Sequence, residues 1–396
     1  MARKKTVRDV SAAGKVVLVR VDYNVPFHPG TRAISDDSRI LASLETLDYL
    51  MAQGARVILC SHLDRPEGKI VPRFSLAPVA QRLSERLRCH VSIVLDLVGP
   101  RVNEQVSSLP PGGVIMLENL RFHPGEESND PSFAGELASA ADLYVDDAFG
   151  TAHRAHASTE GVTHFLPAVA GLLMERELTM MGRVLEDPER PFLVILGGAK
   201  VSDKIGVIEN LADRVDAFLI GGGMAAVFLK AEGISVGDSP VEPADLDLAR
   251  DVRRLAEADG FDLLTPGDVV IGDAFDERAS ARLADASDIP DGWLIMDIGP
   301  RTAEAYGRRI RAAGTAVWNG PMGVFEWEPF SHGTSAVALS MAESKGATIL
   351  GGGSTADAVF SLELTDRMTH VSTGGGASLE FLEGKDLPGV AALQDA

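Results

Sequence analysis

The stretch ATILGGGSTADAV, residues 347–359, decides the fold. A short apolar run ends in three glycines, and a polar, helix-opening sequence follows. A strand that passes through glycine into a helix is the turn of a strand–helix–strand unit. The device recurs as AFLIGGGMAAVF, with Gly221 to Gly223, and as HVSTGGGASLEFL, with Gly374 to Gly376. A shorter version, FLVILGGAKVSDKIGV, carries Gly197 and Gly198. All four lie in the second half of the chain.

The same alternation extends outward in both directions. The first half carries KVVLVRV (15–21), ARVILC (55–60), HVSIVL (90–95), GVIMLE (113–118) and DLYVDD (142–147). These runs are β-branched and apolar on both faces, as buried parallel strands are. Between them lie helical patterns such as SRILASLETLDYLMAQG (38–54), which ends in glycine. The second half repeats the scheme with PFLVIL (191–196), DAFLI (216–220), DVVI (268–271), GWLIMD (292–297), TAVWN (315–319) and ATIL (347–350). The expectation is an α/β protein of two domains with parallel sheets. GLLMERELTMMGRVLED (171–187) is helical in pattern, has no strand beside it and runs into PERP, so it reads as the connecting helix.

The chain has 396 residues, 45% hydrophobic and 24% charged, enough for two cores. Its start, MARKKTVRDV, has no apolar run behind it, so no signal peptide is expected, and FLPAVAGLLM is too short to span a bilayer. Two cysteines, Cys60 and Cys89, are no disulfide framework, which points to the cytoplasm. The net charge of −20 is uneven. Residues 1–170 hold 18 Lys and Arg against 20 Asp and Glu, and residues 171–396 hold 19 against 37. Such acidity repels nucleic acid and argues against it as a partner.

Glycine turns at strand ends let anion oxygens approach backbone N–H groups at a helix start, where the helix dipole adds to the attraction. Four in one domain predict a polyphosphate held by amides. In GGAKVSDKI, Lys200 and Lys204 are four residues apart and are expected on one face of the helix start. Cations there oppose the dipole, so they imply an anion to hold. GGAKVSDK is not a P-loop, which needs G-x-x-x-x-G-K-[ST].

The strand ends of the first half carry basic side chains instead. RVDYNVP supplies Arg20, Asp22 and Asn24; DDSRI supplies Arg39; CSHLDRP supplies His62 and Arg65. LENLRF supplies Arg121, and DAFGTAHRAHAS supplies His153, Arg154 and His156. Guanidinium forks suit phosphate and carboxylate oxygens, so the substrate is expected to carry both. Two anion sites, one built of amides and one of arginines, imply phosphoryl transfer, in which positioning and charge neutralisation dominate.

These segments, with SHLDRPEGK, WNGPMGVFE and STGGGASLEFLEGKDLPGVAAL, follow one another in the order of a known family: along nearly its whole length the chain resembles phosphoglycerate kinases. The resemblance implies two Rossmann-like lobes joined by a hinge helix, a monomer, and transfer of the acyl-phosphate of 1,3-bisphosphoglycerate to ADP with Mg²⁺, giving 3-phosphoglycerate and ATP. It implies a phosphoglycerate-binding lobe of residues 1–170 plus 379–396 and a nucleotide-binding lobe of 188–378, with 171–187 between. By motif, Asp22, Asn24, Arg39, His62, Arg65, Arg121 and Arg154, with the neighbours Tyr23, Leu63 and Asp64, would bind phosphoglycerate. Arg39, Lys200, Lys204 and Gly375 would act on the phosphoryl group in flight, with Gly374 and Gly376 beside it. Gly198, Gly222 and Gly223 would flank adenine. Asn319, Pro321, Glu326, Gly352, Gly353, Ser354 and Thr355, with Lys204, would complete the nucleotide site.

Two positions depart from the family pattern. Asp64 stands where the family has glycine, which adds a negative charge between His62 and Arg65. Ser354 stands where the family has an aspartate that assists the nucleotide's Mg²⁺, and a hydroxyl is the poorer ligand for a hard cation; Asp357 or Asp203 would have to reach the metal. Two rival readings stay open. GGGMAA (221–226) fits a dinucleotide fingerprint, with Glu242 about twenty residues on, as in an NAD-dependent dehydrogenase. A two-lobed anion- and nucleotide-binding relative without catalysis would carry the same sites.

Overall fold

The computed structural model describes residues 3–396; the first two residues of the start MARKKTVRDV lie outside the described residues. The chain forms two compact units. One holds the described residues to Thr179 together with Asp386–Ala396, and the other holds Met180–Lys385.

The first unit is built on six parallel strands: β1 (Val16–Val21), β2 (Arg56–Cys60), β3 (Val91–Val94), β4 (Val114–Leu117), β5 (Leu143–Asp147) and β6 (Ala168–Ala170). Their order is β3-β4-β2-β1-β5-β6. Val17, Val19, Val57, Leu59, Met116 and Val145 are buried together with Ile40, Leu47 and Leu50 of helix Ser38–Ala52. Covering on both faces is why the runs read as continuously apolar. β6 was not expected as a strand; three residues inside FLPAVAGLLM are too few to show a period. The chain end closes this unit: Lys5 N–H donates to the Gln394 carbonyl, and Gln394 N–H to that of Ala168.

The second unit also carries a six-stranded parallel sheet, of β7 (Phe192–Leu196), β8 (Ala217–Ile220), β9 (Asp262–Leu264), β13 (Thr315–Asn319), β14 (Ala347–Gly351) and β15 (His370–Val371). Its order is β15-β14-β13-β7-β8-β9. The two runs DVVI and GWLIMD are not part of it. They form β10 (Asp268–Gly272) and β12 (Leu294–Ile298), which pair antiparallel in a separate three-stranded sheet with β11 (Ala281–Asp285). The intervening chain holds no helical stretch, and an antiparallel pair needs no helical crossover. Short apolar runs disclose neither direction nor sheet.

Helix Leu172–Glu186 occupies the expected connecting segment, and the division between units falls inside it. Its opening is held by the first unit: Thr46 Oγ1 accepts from Leu172 N–H, and Asp147 Oδ1 from Leu173 N–H at 2.9 Å each. Near its end Arg214 takes the Leu185 carbonyl. Residues 379–385 stay with the second unit, because helix Gly376–Leu382 packs on helix Ile205–Leu211 and Asn210 Nδ2 donates to the Leu382 carbonyl at 2.8 Å. The divisions by contact thus fall after residues 179 and 385, where the sequence reading drew them at 170, 187 and 378.

Candidate functional site

Each parallel sheet has a point where successive strands depart in opposite directions, beside β1 in the first unit and beside β7 in the second. Ligands of open α/β sheets bind at the carboxyl ends of strands near such points. The sequence-derived candidates gather there in both units.

In the first unit they form a close network. Arg39, on the first turn of helix Ser38–Ala52, is ion-paired with Asp22 just beyond β1. The His62 ring, after β2, lies 3.9 Å from the Asp22 carboxylate. Burial opposes charge on Asp22, yet the Arg39 guanidinium, with Arg20 and the Asn24 N–H, holds its carboxyl below the ordinary value. Arg121, after β4, is 4% exposed. One arm donates to the Asp64 carbonyl at 2.8 Å, and its Nε lies 3.2 Å from Glu127. Asn24 Oδ1 accepts from Asp64 N–H at 2.9 Å. Residue 64 therefore links Asn24 to Arg121 through its own backbone, at a φ of 57°, a left-handed conformation that glycine adopts most easily. Its carboxylate turns to the Arg65 N–H at 2.8 Å.

Arg154 lies on the loop after β5, and its charge, with those of Arg20 and Arg121, acts on His156. Burial first and these cations next push His156 down to about 4. Burial likewise lowers Arg121, with Arg154 and Arg20 adding to it. Arg65 is exposed, and its guanidinium has no protein partner among the described residues. Two candidates point elsewhere. Tyr23 buries its ring in the core with its hydroxyl 2.6 Å from Ser43 Oγ, and Leu63 joins the same core.

Two residues the sequence reading passed over shape this network. Asn119 accepts the N–H groups of Leu63 and Arg121 and donates to the carbonyls of Leu63 and Phe74, fixing both basic loops. Glu127 supplies the counter-charge to Arg121. Asn119 stands in LENLRF, where an amide at a strand end is itself a signal for a loop anchor. Glu127 carries no such signal, because only the tertiary fold brings it to Arg121.

In the second unit the four glycine turns follow β7, β8, β14 and β15. The structure divides their roles. Gly197 and Gly198 donate their N–H groups to the carbonyls of Asn319 and Pro321, and Gly222 donates to that of Met322. Those amides are occupied, so these glycines are not the expected anion cradle. They allow strand ends to touch: a Cβ on Gly222 would stand 2.6 Å from Gly198 N and 2.9 Å from the Pro321 carbonyl oxygen. The result is a flat glycine floor. The opening stretch behaves differently. Helix Gly353–Ser361 begins without a side-chain cap, so the first-turn N–H groups of Gly353, Ser354 and Thr355 have no acceptor in the helix. The Thr355 hydroxyl is buried and accepts from Gly320 N–H at 2.7 Å, so it serves the loop.

Beside these amides stands Asn319, 3% exposed at the end of β13. Its Oδ1 takes the Lys204 ammonium, while its buried Nδ2 has no partner among the described residues. Nδ2 lies against Gly351 and Gly352, where a Cβ would come within 3.1 and 3.5 Å of it. Lys204 thus orients the amide so that the N–H₂ end faces the free helix start. Burial lowers Lys204 below the usual lysine value against the pull of Asp203 and Glu383. The two lysines do not share a helical face, because the helix begins only at Ile205. Lys200 is exposed in the preceding turn, 3.0 Å from Glu242. Glu242 stands just before helix Pro243–Asp259, so it is no ribose ligand at the end of a second strand. Pro321 lies on the glycine floor and Glu326 is exposed beyond it. Gly375 has a φ of 51° before helix Gly376–Leu382.

Residues 7–385 match the family model described as phosphoglycerate kinase. The chain is 58% identical to a phosphoglycerate kinase of Chloroflexus aurantiacus and 53% identical to one of Moorella thermoacetica, each over 99% of both chains. It resembles the structure of phosphoglycerate kinase from Coxiella burnetii with a TM-score of 0.87, at 42% identity and 98% coverage of both chains. For the enzyme from Pyrococcus horikoshii the TM-score is 0.86, at 34% identity, covering 99% of this chain and 98% of that one. An arginine network at one sheet, a glycine floor and free helix start at the other, and matches along nearly the whole length lead to one conclusion: the chain belongs to the phosphoglycerate kinase family.

Proposed function

We propose that the chain carries out its family's reaction, reversible transfer of the acyl-phosphate of 1,3-bisphosphoglycerate to ADP, giving 3-phosphoglycerate and ATP in glycolysis. The observation that carries this reading is the Lys204–Asn319 pair. Among the described residues it leaves one buried N–H₂ group without an acceptor beside uncapped helix amides, a donor set that fits an incoming anion.

In the direction of ATP consumption, a carboxylate oxygen of 3-phosphoglycerate attacks the γ-phosphorus of ATP. The bond to the β-γ bridging oxygen breaks, and ADP leaves with that electron pair. Asp22, Asn24, Arg39, His62, Arg65, Arg121 and Arg154 hold phosphoglycerate, with Asp64 supplying the backbone link between Asn24 and Arg121. Arg39 also faces the transferring group. Lys204 follows the phosphoryl, Lys200 released from Glu242 neutralises charge, and the amides around Gly375 assist. Gly198, Gly222, Gly223, Pro321 and Glu326 take the nucleoside, while Asn319, Gly352, Gly353, Ser354 and Thr355 take the phosphates. Such donors stabilise developing charge more than they bind the ground state.

Mg²⁺ belongs to this reading as the companion of the nucleotide. Among the described residues no three His, Cys, Asp or Glu side chains cluster as a cage. The chain therefore suits a cation carried in on the phosphates, with Ser354, exposed at the free helix start, as a weak ligand. When bound, the ion neutralises phosphate charge. Ser354→Asp should lower the Mg²⁺ needed for half-maximal rate, and an unchanged requirement would refute that role. The chain is also read as a cytoplasmic monomer that binds no nucleic acid; among the described residues no helix is long and apolar enough to cross a membrane. Sedimentation at the 42.0 kDa of one chain checks the monomer.

The experiment is a coupled assay in which 3-phosphoglycerate and MgATP yield ADP. Turnover saturable in both substrates is expected. Turnover no faster than that of Lys204→Ala would defeat the reading.

A further inference from the structure

Behind the phosphoglycerate-side residues runs a chain of buried polar groups that the proposed reaction does not use. Arg20, at the end of β1, is 1% exposed. Its Nε donates to Ser158 Oγ at 2.9 Å and its Nη1 to the Val21 carbonyl. Its Nη2 stands 3.2 Å from Nδ1 of His62. Ser158 donates its hydroxyl to Glu126 Oε1 at 2.6 Å and its N–H to Oε2 at 3.1 Å, and its carbonyl accepts from the Tyr144 hydroxyl at 2.7 Å. Three sides of the guanidinium are thus engaged, and Glu126, also fully buried, supplies the counter-charge through Ser158.

We propose that Arg20 is a positioning residue that holds His62 as the neutral Nε2–H tautomer, so that His62 offers phosphoglycerate one fixed N–H donor. A guanidinium has donors only and keeps its charge. Asp22 Oδ1 lies 3.9 Å from the same nitrogen, too far for a hydrogen bond, so Nδ1 presents its lone pair to the guanidinium and the ring proton is left on Nε2. No protein group among the described residues takes up Nε2. The surroundings agree. Burial is the largest influence against a second proton on His62; Arg20 from β1, Arg39 from helix Ser38–Ala52 and Arg121 from the loop after β4 add to it, and Asp22 alone opposes. His62 then neither takes nor gives a proton during turnover, and its contact with substrate does not titrate near neutral pH. The nature of the acceptor rests on the reading above; the tautomer does not.

Nitrogen-15 NMR of the full-length protein, labelled at histidine, tests this directly. From pH 5.5 to 8.5 the His62 signals should show an unprotonated Nδ1 and a protonated Nε2, with no titration step. A protonated Nδ1, or a cationic ring within that range, overturns the proposal. Arg20→Lys keeps the charge but loses the fork. It should give mixed tautomers and a KM for 3-phosphoglycerate raised roughly tenfold, the scale of one charged hydrogen bond, with KM for MgATP within about twofold. An unchanged spectrum in that variant would equally defeat it. If Arg20→Lys does not fold, Ser158→Ala, which frees Nε and takes the hydroxyl donor from Glu126, should shift the same signals, and unshifted signals would remove the clamp. A native protein with the expected spectrum but no turnover would sink the substrate assignment and leave the tautomer standing.

Discussion

Around Arg121 the first unit builds its candidate site from side chains; around Gly222 the second builds its own by leaving them out. Three guanidiniums of the first site are charges taken partly out of water with a carboxylate near them: Asp22 for Arg39, Glu127 for Arg121, Glu126 by way of Ser158 for Arg20. Such a site depends on counter-ions and on anchors like Asn119 that stop long side chains from wandering. The glycine floor needs neither. Its requirement is steric, that nothing grow from Cα, and the donors beside it, the amides at the start of helix Gly353–Ser361, are backbone groups whose charge never changes. Such donors would let the half with 37 acidic residues against 19 basic ones receive the polyphosphate of the proposed reaction.

The largest expected effect comes from the one side chain on which the backbone-built site leans. Lys204→Ala removes a half-buried cation and frees the Asn319 amide to turn. Turnover should fall by about 10²–10⁴ with smaller changes in KM, the usual scale for a lost charge-stabilising donor. Steady-state kinetics with both substrates checks it. A loss confined to KM would instead favour the non-catalytic binder.

The steric requirement is tested by one methyl group. Gly222 has a φ of 62°, and its added Cβ would press on Gly198 and Pro321 backbone atoms. Gly222→Ala should cost about 2–4 kcal/mol of stability in urea unfolding, combining left-handed strain with overpacking. Nucleotide affinity should fall with it, and phosphoglycerate affinity should not. A midpoint equal to wild type would mean that the floor is not closely packed.

The ionic side of the comparison predicts a pH signature. Burial pushes the Asp146 carboxyl, near Arg20, Asp147 and Tyr144, up to about 7, and its Oδ2 has no hydrogen-bond partner among the described residues. A carboxyl raised in the folded state contributes its stability below the unfolded value near 3.8 and loses it as pH rises through the folded one. Asp146→Asn mimics the protonated form. Relative to wild type it should gain on the order of 2 kcal/mol between pH 5 and pH 8. Parallel unfolding curves across that range would contradict the assignment.

The two sites also differed in how far they could be read in advance. Strand ends of the first unit were legible because arginine after an apolar run is chemically conspicuous, and Arg39, Arg121 and Arg154 do come together. Their anchors were not, since Glu126, Glu127 and Ser158 look like any polar loop until the fold brings them in. In the second unit the opposite held. Every glycine turn was visible, yet the sequence could not tell an occupied amide at Gly198 from a free one at Ser354, because that depends on which carbonyl lies opposite. The direction of DVVI and GWLIMD was hidden for a similar reason: a run of four to six apolar residues specifies burial and leaves pairing to the rest of the chain.

The smallest effect concerns the residue where the two styles of site-building meet. Asp64 acts through its backbone, as the glycines of the second unit do, but carries a charge inside the ionic site. In the sequence that charge threatened anion binding. In the structure its carboxylate turns to the Arg65 N–H and is exposed to water, where screening is strong. Asp64→Gly relieves the left-handed strain and gives up this short capping bond, so the two changes offset. Stability should move by less than about 1 kcal/mol. KM for 3-phosphoglycerate should fall by no more than about threefold, and that small gain should fade as salt is raised. A tenfold drop in KM that persists at high salt would show that the carboxylate faces the substrate after all, and that residue 64 belongs with the side chains rather than with the backbone.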